Sequence, residues 1–562
     1  MKAAAFTARV RENLSLEVVF LLIFLAAVAL RFYALDLKLF HHDEAVHAWF
    51  AYNLLTDGTY IYDPMYHGPF LYYVTAGVFS LLGDSDLTGR LLPALFGSLL
   101  LLLLYPIYRL GYLDKKQTLV AALFLAVSPN MVYFSRFLRN DIFIVFFTML
   151  LLVALLYYFE RGQTRYALLA GTAIGLGMSA KENMPIVILI FGLYLIYLIW
   201  TGKVRLPAHW VRDLVLGVVV AVGIATAFYS SFGVHPEMAL DWWLRAIEHW
   251  TAMHEMQRIG GPPYFYILLF ILYEVPILIL AIVGVLQFFD IAGIISSWRE
   301  RRRDMEKPGE TGVTDVDNVD KEETPDPLPP PPEVATPGLR GRLREIISGS
   351  GEIRQIDRQK EFARFAIFWM LLSLAAYAYI GEKVPWLILH QVLPMIFVAV
   401  YQMTTKKAVI AVAASILLVA MTFHVAFTPA DINEPIVQVQ NSEDLRWLFA
   451  KIDAADRVAI ATDSYWPLPW YYRGDRSSKI AYYGQKVSEE TIYSGNFDLV
   501  VTHDADTYPA LDGYVKETCR LNYWFSYGEN KDRLLAYYFF RDGKVGSRIL
   551  EVFSRASAGT TT

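Results

Sequence analysis

The sequence predicts an α-helical polytopic membrane protein with about eleven spanning helices, followed by a small extracytoplasmic α/β domain at the C-terminal end. Three observations carry that prediction. The composition is 55% hydrophobic and 15% aromatic, apolar runs long enough to cross a bilayer follow one another, and Lys and Arg fall on alternate loops. A mean hydropathy of +0.35 over 562 residues lies outside ordinary soluble usage.

The first run, Leu16 to Tyr33, follows Lys2, Arg9 and Arg11 as a signal peptide would. It is long enough to span, and Asp36, Lys38 and His41 stand where small cleavage-site residues would be needed, so it reads as a permanent anchor. The further runs are Leu91 to Leu110, Thr118 to Phe134, Ile142 to Phe159, Tyr166 to Ala180, Met184 to Trp200, Leu214 to Ser231, Tyr264 to Phe289, Phe365 to Ile380, Val384 to Tyr401 and Val409 to Phe427. Arg109, Lys115, Lys116, Arg161, Arg165, Lys203, Arg205, Arg212, Arg299, Arg301 to Arg303, Lys406 and Lys407 mark one set of loops as cytoplasmic. An odd number of spans then leaves the N-terminus in the cytoplasm and everything after Phe427 outside.

The expected organisation is a first membrane segment over 1–298, a cytoplasmic linker over 299–360, a second membrane segment over 361–428 and the extracytoplasmic domain over 429–562. The linker contains TPDPLPPPPEVATP from Thr324 to Pro337, which cannot bury a core and favours polyproline II. A docking motif for a cytoplasmic partner is the alternative reading of that run. In the last segment, Ser442 begins a capping-type stretch into the amphipathic EDLRWLFAKI, and short apolar strands are expected at Arg457 to Thr462, Lys479 to Tyr483 and Asp498 to Thr502. The aromatic run SYWPLPWYYRG, with Trp466, Trp470, Tyr471 and Tyr472, suits sugar or peptide contact and equally suits packing on the membrane face.

A net charge of -5 is small for this length and segregated along the chain, so nothing points to a nucleic-acid partner. The one cysteine, Cys519, cannot close an intramolecular disulfide, and no redox or thiolate metal chemistry follows from it.

Ionisable residues gather in the loops assigned to the outside. Asp43 and Glu44 stand beside His41, His42 and His47 at the mouth of the first helix, before an amphipathic stretch expected to lie in the interface. This group reads as a general-base centre, a divalent-metal site or a hydrated helix cap, and adjacency alone does not decide among them. SRFLRND holds Arg136, Arg139 and Asp141, SAKENMP holds Lys181 and Glu182, and GEKVPW holds Glu382 and Lys383, all on the same side. Snorkelling toward headgroups explains such cations singly; their repeated pairing with acids points to a shared anionic ligand, with phosphate the natural choice.

These stretches resemble the GT-C glycosyltransferases that use lipid-phosphate sugars, in particular the protein O-mannosyltransferase and aminoarabinose transferase branch. The resemblance rests on the Asp43-Glu44 pair, on YHGPFLYYVTAGVFSLLG with TGRLLPALFG, and on GEKVPWLILHQVLP, and it spans roughly Leu16 to Tyr401. HHDEAVHAWF, SRFLRND, SAKEN and YWPLPWYYRG together resemble more closely the flippase-activity-associated membrane protein family of archaea and some bacteria. The resemblance implies that Asp43 is the essential loop acid, that Lys383 is the motif lysine, and that His67 occupies the place of a metal-ligand carboxylate or histidine. One departure is Gly68, which stands before Pro69 where aminoarabinose-type relatives carry Lys, so that Arg136, Arg139 or Lys181 would have to meet the phosphate instead.

The implied reaction moves a sugar from a polyprenyl-phosphate donor to a hydroxyl of a lipid or protein glycan acceptor, with inversion. Asp43 and Glu44 are the expected catalytic carboxylates, and Arg136, Arg139, Lys181 and Lys383 the expected phosphate ligands. Tyr66, His67, Glu182 and Glu382 are expected to orient groups or contact substrate. The residues name no certain cofactor, and a divalent metal on His42, Asp43 and His67 is kept as an alternative. A flippase or transporter of lipid-linked sugars is the competing function.

Overall fold

Pro and buried polar groups, more than hydrophobicity, set where the helices of this chain break. The computed structural model describes residues 2–256, 261–291, 293, 294, 297 and 356–556. Up to the sheet the helices are α1 (Lys2–Phe32), α2 (His42–Asp57), α3 (Phe70–Leu82), α4 (Asp86–Leu102), α5 (Leu104–Arg109), α6 (Lys115–Val127), α7 (Pro129–Ser135), α8 (Asp141–Arg161) and α9 (Thr164–Ala180). They continue as α10 (Met184–Trp200), α11 (Trp210–Tyr229), α12 (Met238–Met256), α13 (Phe265–Tyr273), α14 (Val275–Phe288), α15 (Arg358–Tyr379), α16 (Leu389–Ala399) and α17 (Thr405–Phe427).

Each of the eleven apolar runs is helical over most of its length. Among the described residues, five helices are long and apolar enough to cross a membrane, or up to seven if each of two bent pairs forms one span. The bent pairs are α6 with α7, at 56°, and α13 with α14, at 110°. Pro129 opens α7 and Pro276 lies in the first turn of α14, where a missing N–H costs nothing but the preceding helix cannot run on. The breaks meet at one buried carboxylate: Glu274 accepts hydrogen bonds from Ser128 Oγ at 2.5 Å and Asn130 Nδ2 at 2.9 Å. The proline-rich run Thr324 to Pro337 lies outside the described residues. Helix α15 begins at Arg358 because Asp357 caps it and draws Arg358 to Lys360 into its first turn.

The C-terminal unit is a six-stranded mixed sheet of β1 (Gln440–Asn441), β2 (Val458–Ile460), β3 (Ile480–Tyr482), β4 (Leu499–His503), β5 (Tyr514–Phe525) and β6 (Val545–Arg555), in the order β1-β5-β6-β4-β2-β3. β2 runs parallel to β3 and β4, and the remaining pairs are antiparallel. Four helices accompany it: α18 (Leu445–Ala454), α19 (Leu468–Tyr471), α20 (Glu489–Gly495) and α21 (Tyr527–Asn530), with a fifth, α22 (Leu534–Phe540), before β6. The amphipathic helix and three strands read from sequence are α18, β2, β3 and β4; the long pair β5 and β6 was not anticipated. β5 has a register irregularity between Arg520 and Asn522, so it lacks the clean alternation that marks a half-buried strand.

The sheet is fastened to the membrane helices by polar contacts. Trp470 Nε1 and Tyr471 OH donate to the two oxygens of Asp86 at 2.8 and 2.6 Å, and Asn441 Nδ2 donates to the Phe40 carbonyl at 2.7 Å. Trp470 and Tyr472 are both almost fully buried inside the protein.

Candidate functional site

The site begins with the turn into α2. His41 Nδ1 accepts from the Asp43 N–H at 3.0 Å, its Nε2–H donates to the Gln438 carbonyl, and Glu44 accepts from the His41 N–H at 2.9 Å. Burial pushes the His41 imidazole down to about 4, so it is uncharged at neutral pH and can serve as an acceptor at Nδ1. His41 and Glu44 thus form the capping box, and Asp43 is not the cap. That frees the Asp43 carboxylate to face a cavity of about 330 Å³, lined among others by His42, His47, Tyr66, His67, Arg139 and Glu382.

Arg139 is ion-paired with Asp43, its Cζ sits 3.7 Å from the Trp386 ring centroid, and its Nε lies 3.4 Å from Asp141. Burial raises the Asp43 pKa, but the Arg139 guanidinium and nearby histidines outweigh it and hold the carboxyl below the usual carboxylate range. His67 stacks on Trp250 with centroids 5.4 Å apart, and its Nδ1 is 3.0 Å from Glu182, which also accepts from Tyr62 OH at 2.8 Å. Glu182 supports His67 from behind, whereas Glu382 and Tyr66 line the cavity.

Three of the four expected phosphate ligands are otherwise engaged. Arg136 donates to the carbonyls of Leu30, Arg31, Tyr33 and Ala34 and so closes the end of α1. Lys181 is buried with Asp141, its Nζ 2.9 and 3.0 Å from the two carboxylate oxygens. Lys383 donates to the Tyr377 and Ala378 carbonyls at 3.0 and 2.9 Å, and to that of Ile380, at the end of α15. Arg139 is the member of the expected set that lines the cavity.

Glu44 also departs from its expected catalytic place. It is buried, bonded by Arg90 Nε at 2.8 Å and Nη2 at 2.6 Å and by the Leu138 N–H at 2.8 Å, and it does not line the cavity. In this position it joins the turn into α2 to Arg90 and Leu138. Glu44→Gln should therefore lower the unfolding temperature in detergent, since breaking a buried ion pair costs ~3 kcal/mol or more. A thermal scan with wild-type stability would contradict that assignment.

Two further expectations are answered by geometry. A Cβ on Gly68 would lie 2.1 Å from the Ser179 carbonyl oxygen, so this position admits no side chain and a lysine cannot reach a phosphate from it. His42, Asp43 and His67 do not gather as metal ligands: among the described residues no group of three or more His, Cys, Asp or Glu is so arranged. Asp43 is instead committed to Arg139 and His67 to Glu182.

Sequence reasoning missed His249, Trp250 and Met253 of α12, and Gln438 and Val439 before β1, all of which line the cavity. The helical periodicity of MALDWWLRAIEHWTAMHEM was available as a signal for α12. Trp466 also lines the cavity, so the two readings of the aromatic run divide: its first Trp faces the site and Trp470 packs.

Beside the cavity runs an apolar groove of about 690 Å³ between α13 and the segment from Trp524 to Phe539. Lys383 and Gln438 line the groove, while Glu382 and Gln438 line the cavity, so the two spaces adjoin there.

Residues 66–231 match the family model of dolichyl-phosphate-mannose-protein mannosyltransferase, a stretch that contains His67, Arg139, Asp141 and Lys181 but not Asp43. No curated protein matches the sequence. Among solved structures, ArnT from Cupriavidus metallidurans bound to undecaprenyl phosphate aligns over 95% of this chain and 97% of its own, at 14% identity and a TM-score of 0.51. The oligosaccharyltransferase of Archaeoglobus fulgidus, in complex with Zn and sulfate, aligns over 94% of this chain and 72% of its own, at 14% identity and a TM-score of 0.47. The protein O-mannosyltransferase complex of S. cerevisiae bound to the sugar donor aligns over 40% of this chain at 21% identity and a TM-score of 0.34, and the present chain covers 34% of the matched one. The chain is thus a membrane protein that shares the fold of ArnT, and a stretch within it matches the dolichyl-phosphate-mannose-protein mannosyltransferase model.

Proposed function

We propose that this protein transfers a sugar from a polyprenyl-phosphate donor to an acceptor hydroxyl at the extracytoplasmic face of the cell membrane. The observation that carries the reading is the pairing of Asp43 with Arg139 in a cavity that adjoins an apolar groove. The undecaprenyl phosphate bound by ArnT, which shares the fold, supports a ligand of this class. In this reading the polyprenyl chain occupies the groove, the phosphate meets Arg139, and the sugar and acceptor occupy the cavity. Lys383 adds positive potential at the junction while its ammonium stays on the carbonyls of α15.

Asp43 accepts the proton of the acceptor hydroxyl as its oxygen bonds to the anomeric carbon. The bond from that carbon to the phosphate oxygen breaks, and polyprenyl phosphate leaves with the electron pair. Arg139 stabilises the charge that grows on the leaving phosphate. A carboxylate held low by a guanidinium is a weak base, but a phosphate that takes over Arg139 removes that restraint. Donor binding thereby raises the basicity of Asp43 in the complex that needs it.

The competing reading, a flippase of lipid-linked sugars, is favoured by the two bent helix pairs that meet at Glu274, because broken helices build many transporter sites. Glu274 lines neither the cavity nor the groove, so the transferase is the better account of the charged residues. A deletion strain should accumulate lipid-linked sugar and lack a glycan product. Unchanged pools of both would contradict transfer.

A further inference from the structure

We propose that α22 (Leu534–Phe540) is an interfacial wedge, lying in the lipid leaflet that borders the candidate site with bilayer lipid covering its outer face. Leu535 and Phe539 also line the apolar groove, so the wedge shares part of its surface with the proposed path of the polyprenyl chain. Helix α22 reads LLAYYFF, and it turns Tyr537 inward, almost fully buried, while Leu535 is 77%, Phe539 68% and Phe540 81% exposed. Leu535 and Phe539 are four residues apart and share one face, so the exposed side chains form a ridge rather than scattered single contacts.

The depth of this ridge is fixed by Glu434. Its buried carboxylate accepts from Tyr273 OH at 2.8 Å on α13, lies 2.8 Å from His424 Nε2 on α17, and accepts from Arg541 Nε at 2.6 Å directly after α22. His424 lies in the last turn of α17, one of the helices long and apolar enough to span. The end of α22 is thereby held level with the end of a spanning helix, where hydrocarbon gives way to headgroups.

Two further features select lipid as the occupant. Across the groove, α13 turns Ile267 and Ile271 outward, 49% and 38% exposed, so the ridge continues an apolar surface that belongs to the membrane helices. The segment KDRLLAYYFFRDGK also flanks its apolar core with Lys531 and Arg533 before it and Lys544 after it, while Arg541 is turned to Glu434. Cations at both ends of a short apolar helix suit headgroup phosphates on either side of a shallow insertion. Water would leave three large apolar side chains hydrated, and a second copy of the chain would have to meet them at the level of the headgroups.

The test places a bimane probe at Phe540→Cys in full-length protein carrying Cys519→Ser, reconstituted in phosphatidylcholine nanodiscs with or without 5-doxyl lipid. A matched probe at Glu490→Cys is the control, since α20 leads into β4 at Leu499, which pairs with Ser554 at the opposite end of β6 from Val545 and α22. Doxyl lipid should reduce emission from the Phe540 probe about twofold or more and leave the Glu490 probe unchanged, as expected for shallow insertion. Leu535→Cys gives an independent position should Phe540→Cys fold poorly, and it should respond in the same direction. A probe insensitive to doxyl lipid at both positions would overturn the wedge. That holds whether iodide quenches it, showing water, or fails to, showing a protein partner.

Discussion

Asp43→Asn is expected to insert and fold as wild type and to lose sugar transfer by about 10²-fold or more, the effect of removing a positioned base. The fold should survive because the partner of Asp43 is not stranded: Arg139 keeps its stacking on Trp386 and its proximity to Asp141. For the same reason donor binding should stay level or tighten, since a guanidinium released from Asp43 is freer to meet phosphate. A fall in kcat with KM for donor unchanged separates a base from a packing residue. Wild-type turnover by this variant would refute the assignment.

The same ion pair predicts a pH dependence with a definite sign. In the free protein the Asp43 pKa is lowered despite burial, chiefly through Arg139, so the carboxylate stays ionised as pH falls through the range usual for an aspartate. When phosphate occupies Arg139 that stabilisation weakens and the pKa rises. The acid limb of kcat, which reports the complex, should therefore lie at higher pH than the acid limb of kcat/KM, which reports the free protein. Coincident limbs, or the reverse order, would contradict the coupling.

Arg139→Gln should weaken donor binding and slow transfer together, by about 10²-fold or more in kcat/KM, because one cation meets both the ground-state phosphate and its leaving group. Arg139→Lys should recover only part of the loss. A lysine keeps the charge but not the planar fork that lies over Trp386 while reaching Asp43 and Asp141. Arg136→Gln should instead cost stability, since its guanidinium closes α1 and does not line the cavity. Equal loss of donor affinity in the Arg136 and Arg139 variants would restore the idea of a shared cation cluster.

The eleven runs read from hydropathy are helical, but hydropathy passed over α3 and was blind to the breaks that leave five to seven candidate spans among the described residues. Averaged over Thr118 to Phe134 or Tyr264 to Phe289, the sequence looks like one continuous span, although Pro129 and Pro276 stand at the points where the chain bends. The cations were legible as a set and misleading as individuals. Arg136 and Lys383 follow helix ends, where a cation can face a ligand or satisfy the last carbonyls, and sequence position is the same in both cases. Lys181 and Asp141 are 40 residues apart, and no local pattern announces that they pair. The walls supplied by α12, by Gln438 and by Trp466 come from distant parts of the chain, so only the fold assembles them around Asp43.

The most direct test of the central claim uses purified protein in detergent, where no bilayer separates two leaflets and transport has no meaning. Supplied with a polyprenyl-phosphate sugar and an acceptor glycan bearing a free hydroxyl, the wild-type protein should consume donor and release polyprenyl phosphate in step with glycosylated product. The Asp43→Asn protein should do neither. The account is contradicted if every candidate donor and acceptor is left unchanged in detergent while proteoliposomes of the same protein move the lipid headgroup between leaflets in an Arg139-dependent way.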